Sequence, residues 1–305
     1  MYLLGFDIGG TKCAVVTALT DGNNIELLKK EKCNTLFDIS PETMIDKLIA
    51  LADTIVDRKI DAIGISCGGP LDSEKGVIMS PPNLPGWDNV KIVERIKNHY
   101  GVSVTLQNDA NACAVAEWKF GSGKGYKNVV FLTFGSGLGA GLILDGRLYS
   151  GTNGNAGEVG HIRLAPDGPE GFGKKGSFEG FCSGNGIAKL GKMMINGEEK
   201  LTAKSIAEAA DKGDEKALEV YRVSGEYLGR GLSIIIDILN PEVIVIGSVY
   251  TRSEKLFAES MKKEIEKEAL SVSADCCKIL PATLGENIGD YAAVSTALLG
   301  VENYD

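Results

Sequence analysis

Residues 1–20 read MYLLGFDIGGTKCAVVTALT, and this stretch decides the fold. Residues 2–8 and 12–20 are mostly apolar and flank a pair of glycines, which predicts two antiparallel strands joined by a tight turn. Polar residues at 21–24 precede a third strand, predicted near 25–32. Three consecutive antiparallel strands are therefore expected to open the chain.

Helices and strands alternate after this opening. The rest of the first half is predicted to contain a helix starting at Ser40-Pro41-Glu42, a strand at 62–67, a long ordered loop at 68–90, a helix near 91–99, a strand at 102–107 and a helix at 110–119. The second half repeats this order, with strands at 128–134 and 139–145, an Asp145-Gly146 turn, helices near 187–193, 203–211 and 214–239, a strand at 243–246, a further helix, a strand at 278–280 and a closing helix from about 290. This order predicts an α/β protein with a helix-covered mixed sheet in each of two domains, 1–118 and 119–289, and a C-terminal helix at 290–305 that packs back on the first.

The composition excludes several classes of function. The 305 residues carry a net charge of −9, so no basic face is available for a nucleic-acid backbone. The N-terminus lacks the basic region of a signal peptide, and no apolar run approaches the roughly 20 residues of a membrane helix. We therefore expect a cytoplasmic protein with no nucleic-acid or membrane partner. The seven cysteines form no CxxC pair, so reduced core residues are expected rather than disulfides or metal ligands.

The segment DIGGTK at residues 7–12 joins the first two predicted strands. Gly9 and Gly10 let the backbone bend tightly and bring amide groups close to an anion. A plain hairpin turn is the alternative, but it needs neither the preceding Asp nor the following Thr and Lys. Contact with a phosphate group is therefore favoured.

A second glycine-rich loop, GSGLGAG, occupies residues 135–141 in the other half of the chain. It matches the dinucleotide fingerprint GxGxxA, but that fingerprint must open a helix. Residues 142–146 instead predict a strand that runs into a turn, so the dinucleotide interpretation fails. One glycine hairpin in each half fits a nucleotide whose phosphates are held from both sides of a cleft.

Asn108-Asp109-Ala110-Asn111 follows an apolar strand and leads into a helix. The carboxylate of Asp109 is therefore placed near a helix N-terminus, where an anion is stabilised. The segment leaves two roles open for Asp109, a helix cap and a base that accepts a proton from a hydroxyl. One carboxylate can fill both.

Residues 157–161 read GEVGH, and the same loop contains Asn153 and Asn155. Acid, amide and imidazole groups on one loop suit the several hydroxyls of a sugar. An isolated histidine is usually structural, which is the alternative here. For Glu158 and His161 together, contact with a ligand is favoured.

The chain resembles the ROK family of sugar kinases and sugar-responsive repressors over essentially its whole length. The segments that carry the resemblance are DIGGTK (7–12), CGGPLD (67–72), PNLPGW (82–87), QNDANA (107–112), GSGLGAG (135–141), GEVGH (157–161) and PEVIVIGS (241–248). The resemblance implies the actin-like ATPase (ribonuclease H-like) fold, with two domains flanking a cleft for ATP and sugar. It also implies phosphorylation of a hexose or N-acyl hexosamine at the 6-hydroxyl, by a homodimer.

The resemblance also assigns roles to individual residues. Asp109 becomes the general base, and Asp7 holds Mg²⁺ through water. The residues implied to surround the sugar are Gly69, Asn83, Asn108, Glu158, His161 and Glu179. The residues implied to bind ATP are Asp7, Gly9, Gly10, Thr11, Lys12, Gly135, Ser136, Gly137 and, on the adenosine side, Gly247 and Ser248.

The sequence departs from the family pattern after GEVGH. Many members carry CxCGxxGCxE there and bind structural zinc with three cysteines and the histidine. Here Glu170, Phe172 and Ser177 stand in place of the cysteines, so zinc is not expected. We expect packing of Phe172 and Phe178 to order the loop instead. Family repressors also carry a helix-turn-helix ahead of the kinase-like part; because the first strand is predicted to begin at residue 2, we do not expect that module here.

Together these residues predict ATP-dependent phosphorylation of a sugar, with glucose, mannose, N-acetylglucosamine and N-acetylmannosamine as alternative acceptors. A disaccharide or a β-glucoside is a further alternative acceptor. An alternative from another class is a sensor that binds sugar and nucleotide without catalysis. Among enzymes, the alternative is an ATPase or a kinase that acts on a metabolite other than a sugar. In such a protein the PNLPGW and GEVGH segments would have no evident function.

Overall fold

The structure is a computed structural model that describes residues 1–195 and 201–301 of the chain. The strands are β1 (Tyr2–Ile8), β2 (Lys12–Thr20), β3 (Ile25–Asn34), β4 (Ala62–Cys67), β5 (Leu71–Asp72), β6 (Val77–Ile78), β7 (Ser103–Asn108), β8 (Val129–Phe134), β9 (Leu138–Leu144), β10 (Arg147–Tyr149), β11 (Glu170–Gly171), β12 (Lys174–Lys175), β13 (Val243–Ile246) and β14 (Lys278–Pro281). The α-helices are α1 (Pro41–Asp53), α2 (Ile92–Tyr100), α3 (Asp109–Phe120), α4 (Phe178–Phe181), α5 (Gly184–Met194), α6 (Ala203–Ala210), α7 (Glu215–Leu239), α8 (Val249–Glu268), α9 (Ser271–Ala274) and α10 (Ile288–Thr296). Short 3₁₀ turns lie at Val159–His161, Gly285–Asn287 and Ala297–Gly300.

The described residues form two units. The first unit contains residues 1–125, residues 147–156 and the chain from 284 onward, and the second contains residues 126–146 and 157–283. The closing helix expected at 290–305 is α10, which ends at Thr296, and residues 302–305 lie outside the described part. In the part of the chain that the structure describes, no helix is both long and apolar enough to cross a membrane.

The sheet of the first unit has the strand order β3-β2-β1-β4-β7. The three opening strands pair antiparallel, as predicted, and β1, β4 and β7 pair parallel. Parallel strands end at the same edge of a sheet, which is where open α/β sheets bind their ligands. The register aligns Asp7 with Ser66, and Ser66 with Gln107, so the ends of these three strands lie side by side.

The two faces of this sheet are covered differently. Leu4, Phe6 and Ile63 belong to a large apolar core that includes buried residues of α1 and α2. On the opposite face Leu3 packs against Val294 and other residues of α10. A Cβ on Gly5 would lie 2.9 Å from the Cβ of Ala293, and a Cβ on Gly64 would collide with the Ala293 carbonyl oxygen. These two glycines let α10 lie directly on β1 and β4.

In the second unit the strands follow the order β9-β8-β13-β14. β8 and β9 are antiparallel, whereas β8, β13 and β14 are parallel. The order of a hairpin followed by parallel strands is therefore the same as in the first unit, as the repeated sequence pattern predicted. The long helix α7 packs closely on α8, because a Cβ on Gly229 would lie 2.6 Å from the Met261 carbonyl oxygen.

Two local expectations need correction. The loop at 68–90 contains a short hairpin of β5 and β6, and Ile78 also pairs with Val90. Cys13, Cys67 and Cys182 are buried, as expected of core residues, but Cys276 is exposed. Cys276 follows Asp275 just after α9, a helix with no buried residue, so it does not lie in an apolar stretch.

Candidate active site

The carboxyl edge of the first sheet brings Asp7 and Asp109 together. Asp7 is the penultimate residue of β1, and Asp109 begins α3 directly after β7. Burial raises the pKa of Asp7 to about 6; the negative charges of Asp290 and Asp109 add to this effect, and Lys30 opposes it. The charge of Asp109 therefore acts on the Asp7 carboxyl at this edge of the sheet.

Asn108, rather than Asp109, occupies the capping position of α3. The Asn108 Oδ1 accepts a hydrogen bond from the Ala110 backbone N–H at 2.9 Å, and Asp109 Oδ1 accepts from the same N–H at 2.8 Å. Residue 109 is exposed, yet surrounding protein desolvates its carboxyl and raises its pKa, while the Ala110 N–H lowers it. Asp109 therefore has an accessible carboxylate whose basicity is increased, as a general base requires.

The loop after β1 lies against Asn83. A Cβ on Gly10 would collide with the Asn83 carbonyl oxygen, so only glycine fits there. Thr35 holds the loop from the other side, since its Oγ1 donates to the Gly9 carbonyl oxygen at 2.6 Å and its N–H donates to the Thr11 carbonyl oxygen at 3.0 Å. Lys12 is exposed at the start of β2.

Three of the sugar candidates lie close together in the first unit. A Cβ on Gly68 would lie 3.3 Å from Asn83 Nδ2, and a Cβ on Gly69 would lie 3.2 Å from Asn108 Nδ2. Asn83, Gly69 and Asn108 therefore form one polar group beside Asp109. The PNLPGW segment reaches this group because Leu84 and Trp87 are fully buried and anchor it.

In the second unit the loop at 135–137 joins β8 to β9. The N-terminus of α5 is fixed to it, because the Gly184 N–H donates to the Gly135 carbonyl oxygen at 2.7 Å. Glu179 Oε2 accepts from the Leu138 N–H at 3.0 Å and would lie 2.7 Å from a Cβ on Gly137. The half-buried carboxylate of Glu179 therefore supports the loop in addition to the sugar contact expected for it.

Glu158 and His161 lie next to this support. Both are exposed and flank the 3₁₀ turn at Val159–His161. A Cβ on Gly160 would collide with the Leu138 carbonyl oxygen and lie 3.3 Å from the Cβ of Glu179. The glycines of GEVGH thus let the loop pack on β9 and against Glu179, while Glu158 and His161 on either side of Gly160 stay exposed.

The loop that departs from the zinc pattern is held by hydrogen bonds and by one phenylalanine. Phe178 is fully buried, but Phe172 is 78% exposed, so the expectation that Phe172 packs to order the loop is wrong. Phe172 adopts a left-handed backbone at the turn between β11 and β12, which directs its side chain outward beside the His161 ring. The buried Ser177 caps α4 instead, accepting from the Gly180 N–H at 3.1 Å.

Gly247 and Ser248 follow β13 and lie beside the same loop. A Cβ on Gly135 would lie 3.9 Å from Ser248 Oγ. A cavity of about 450 Å³ begins next to them at Val249, and the sequence did not reveal it. Its walls combine apolar and polar side chains, among them Ala203, Ala207, Tyr221, Val249, Arg252 and Leu256.

The donor set at Asp7 suits magnesium. Mg²⁺ is commonly held by one or two carboxylates, several waters and substrate phosphates, rather than by an all-protein cage. Asp7 supplies one carboxylate beside the candidate phosphate loop, and the described residues contain no group of three or more His, Cys, Asp or Glu that could hold a metal ion. Asp7 therefore fits a magnesium ion that takes its remaining ligands from water and phosphate.

Sequence reasoning missed Asp290, Lys30 and Glu117. Asp290 is 3% exposed and forms an ion pair with Lys30, 260 residues away in the chain. Glu117 is fully buried and accepts from the backbone N–H groups of Ser122 and Leu284, at 2.8 and 2.9 Å. For Asp290 and Glu117 the available signal was a charged residue at a core-spaced position of a predicted helix.

The two-sheet architecture is that of the actin-like ATPase fold, and comparison with solved structures bears this out. The ROK hexokinase from Thermus thermophilus is 29% identical, with a TM-score of 0.83 over 99% of this chain and 100% of that one. A ROK family glucokinase from Streptomyces griseus, solved in complex with glucose and AMPPNP, is 28% identical, with a TM-score of 0.78 over 99% and 100% of the two chains.

Residues 3–298 match the sequence profile of the ROK family, and the chain belongs to that family. The glucokinase of Thermotoga maritima is 30% identical over 312 residues, which cover 97% of this chain and 96% of the relative. The family also includes regulators: the xylose repressor of Bacillus subtilis is 28% identical over 94% of this chain and 74% of its own length.

Proposed function

We propose that this protein transfers the terminal phosphoryl group of ATP to a hydroxyl of a hexose or N-acyl hexosamine, at the 6-position. The single observation that carries the proposal is the accessible Asp109 carboxylate, desolvated and with its charge acting on Asp7 at the sheet edge. Phosphoryl transfer asks a protein mainly to align the acceptor oxygen and to balance spreading negative charge. The family membership and the glucokinase relatives support this reaction over others.

Asp109 accepts the proton of the sugar hydroxyl as the new bond to phosphorus forms. Burial raises the pKa of Asp109, which makes it a better proton acceptor than an ordinary carboxylate. In this proposal Asn83, Asn108 and the Gly69 backbone orient the sugar beside that base. Glu158, His161 and Glu179 of the second unit bind further hydroxyls of the same sugar.

The nucleotide is assigned to the two glycine loops. Gly9, Gly10, Thr11 and Lys12 of the first unit, with Gly135, Ser136 and Gly137 of the second, present backbone amides and a hydroxyl to the phosphates. Magnesium at Asp7 would neutralise charge on the phosphate oxygens. The cavity beside Gly247 and Ser248 suits the adenine base, because its walls are partly apolar and its volume is about 450 Å³.

A sensor that binds sugar and nucleotide without catalysis is the second candidate, and the xylose repressor relative is the observation that favours it. Against it, the chain carries the NDAN segment with an accessible Asp109. A homodimer, a cytoplasmic location and the lack of structural zinc stay predictions.

An ADP-release assay over a panel of sugars tests the proposal. The panel contains glucose, mannose, N-acetylglucosamine, N-acetylmannosamine and one β-glucoside, each with ATP and with polyphosphate as donor. We expect ATP- and Mg²⁺-dependent turnover with at least one hexose. Binding of a sugar and of ATP without turnover on any acceptor would favour the sensor instead.

A further inference from the structure

An ion pair between an exposed lysine and a buried aspartate joins two distant parts of the first unit. The Lys30 Nζ lies 2.6 Å from Asp290 Oδ2; the Asp290 side chain is 4% exposed and the Lys30 side chain 43%. A buried carboxylate requires a partner, because desolvation otherwise penalises its charge heavily. Lys30 lies on β3 and Asp290 on α10, and neither belongs to one of the motif segments.

The pair lies on the same face of the sheet as Asp7. Side chains alternate along a strand, so Asp7 faces the side of Leu3, which packs against α10. Val16 belongs to the same apolar cluster, and Lys30 is its register partner on β3. Asp7 and Lys30 therefore both lie on the face that α10 covers.

The first turn of α10 places Asp290 beside Asp7. A Cβ on Gly289 would lie 2.8 Å from Asp7 Oδ2, so the backbone immediately before Asp290 touches the Asp7 carboxylate. The electrostatic influence on Asp7 agrees with this position, since Asp290 raises the pKa of Asp7 and Lys30 lowers it. A side chain this close changes the potential felt by any cation held at Asp7.

We propose that Lys30 and Asp290 form a charge-balancing pair that sets the affinity of the Asp7 site for its divalent cation. Asp290 adds a negative charge behind Asp7, and Lys30 cancels it, so that the pair adds no net charge at the Asp7 site. This inference rests on the proposed function, because it takes Asp7 to be the magnesium ligand. A pair that only anchored α10 would influence stability and leave cation affinity unchanged.

The test measures binding of Mn²⁺, a paramagnetic substitute for Mg²⁺, to the protein with ADP by electron paramagnetic resonance. Lys30→Met leaves Asp290 uncancelled, so Mn²⁺ affinity should rise by roughly tenfold, the scale of outer partners of metal ligands. Asp290→Asn leaves the positive charge of Lys30, so affinity should fall by a similar factor. In the double variant the local charge is balanced again, and affinity should return to within about threefold of wild type.

Lys29→Met is the matched control. Lys29 is the neighbouring residue on β3, points to the opposite face and pairs with Asp57 at 2.8 Å. Its loss should leave Mn²⁺ affinity unchanged. If Lys30→Met does not fold because Asp290 is left unpaired, Asp290→Asn and the double variant decide the question alone.

Two outcomes would overturn the inference: shifts in the same direction for both single variants, or lower melting temperatures with unchanged Mn²⁺ affinity. The proposed function is tested separately. The wild-type protein could phosphorylate no sugar while the two single variants shift Mn²⁺ affinity in opposite directions. That result would refute the proposed kinase activity and support the charge-balancing role of the pair. An active kinase whose variants do not shift affinity in this way would refute only the pair.

Discussion

The two units place different chemistry at equivalent positions of similar sheets. β1 and β8 each pair with an antiparallel strand on one side and a parallel strand on the other. The penultimate residue of β1 is the charged Asp7, whereas that of β8 is Thr133. The Thr133 hydroxyl is engaged by the Gly139 N–H at 3.0 Å, while the Asp7 carboxylate carries a raised pKa.

This difference indicates that the two units share a strand pattern but offer different functional groups at the end of the first strand of each sheet. The first unit keeps carboxylates at its sheet edge, which suit a metal ion and a proton transfer. The second unit presents backbone amides and exposed polar side chains, which suit phosphates and sugar hydroxyls. Four sets of substitutions test this difference between the units.

Asp109→Asn should have the largest effect. The amide cannot accept the hydroxyl proton, so turnover should fall on the order of 10² or more, with sugar binding retained. Steady-state kinetics and calorimetric sugar titration measure the two quantities. Asp38→Asn, an exposed residue of the same unit, is the control and should keep full turnover. Near-normal turnover in Asp109→Asn would remove Asp109 from its role.

Alanine substitutions in the two glycine turns should have the next largest effect, and the two turns should differ in the stability that they lose. Gly10→Ala forces a Cβ into the Asn83 carbonyl oxygen and should lower the free energy of unfolding by about 1–3 kcal/mol. In Gly135→Ala the new Cβ would lie 3.9 Å from its nearest neighbour, Ser248 Oγ. The free energy of unfolding should therefore change by less than about 0.5 kcal/mol. Urea denaturation compares them. Equal losses in both variants would show that the turns are equally crowded.

Asp7→Asn should stabilise the metal-free protein at neutral pH. The pKa of Asp7 is raised from 3.8 to about 6 in the folded protein, so between these values the folded state binds more protons than the unfolded state. The stability of the wild-type protein therefore falls as pH rises from about 4 to about 6. The variant's advantage should grow over that range to on the order of 3 kcal/mol, since each pKa unit corresponds to about 1.4 kcal/mol, and then level off. A pH-independent difference would contradict the coupling.

Glu179 should give the smallest effect. Glu179→Ala leaves the Leu138 N–H without its acceptor and should cost about 1 kcal/mol of stability, with a higher KM for sugar. Glu179→Gln retains an acceptor oxygen and should lose less than about half of that. Thermal melting and sugar kinetics distinguish the two variants. If Glu179→Gln behaves like Glu179→Ala, the charge matters more than the hydrogen bond.

Most strands of both sheets were predictable because they are apolar runs bounded by turn residues. The bounds of β1, β2 and β4 match the predicted ones, and the glycine-rich loops join the strands that the pattern indicated. Asp7 and Asp109 could be named as candidate site residues because Asp7 lies at the end of an apolar strand and Asp109 directly follows one. Local sequence suffices where the functional group lies at the end of such a run.

Residues that depend on distant contacts were missed. Lys30 and Asp290 lie 260 positions apart, and nothing in either neighbourhood indicates the other. Residues 147–156 cluster with the first unit although they follow β9 without a break in the pattern. Phe172 was expected to pack because phenylalanine is usually buried, but its left-handed backbone in a tight turn directs it to solvent.

The contact of α10 with Gly5 and Gly64 has a consequence for biosynthesis. The ribosome releases β1 first and α10 only after the entire second unit has emerged. Until then the nascent chain leaves the apolar face around Leu3 and Val16 uncovered. The second unit can complete its own core before α10 emerges, whereas this face of the first unit can be covered only after α10 has left the ribosome.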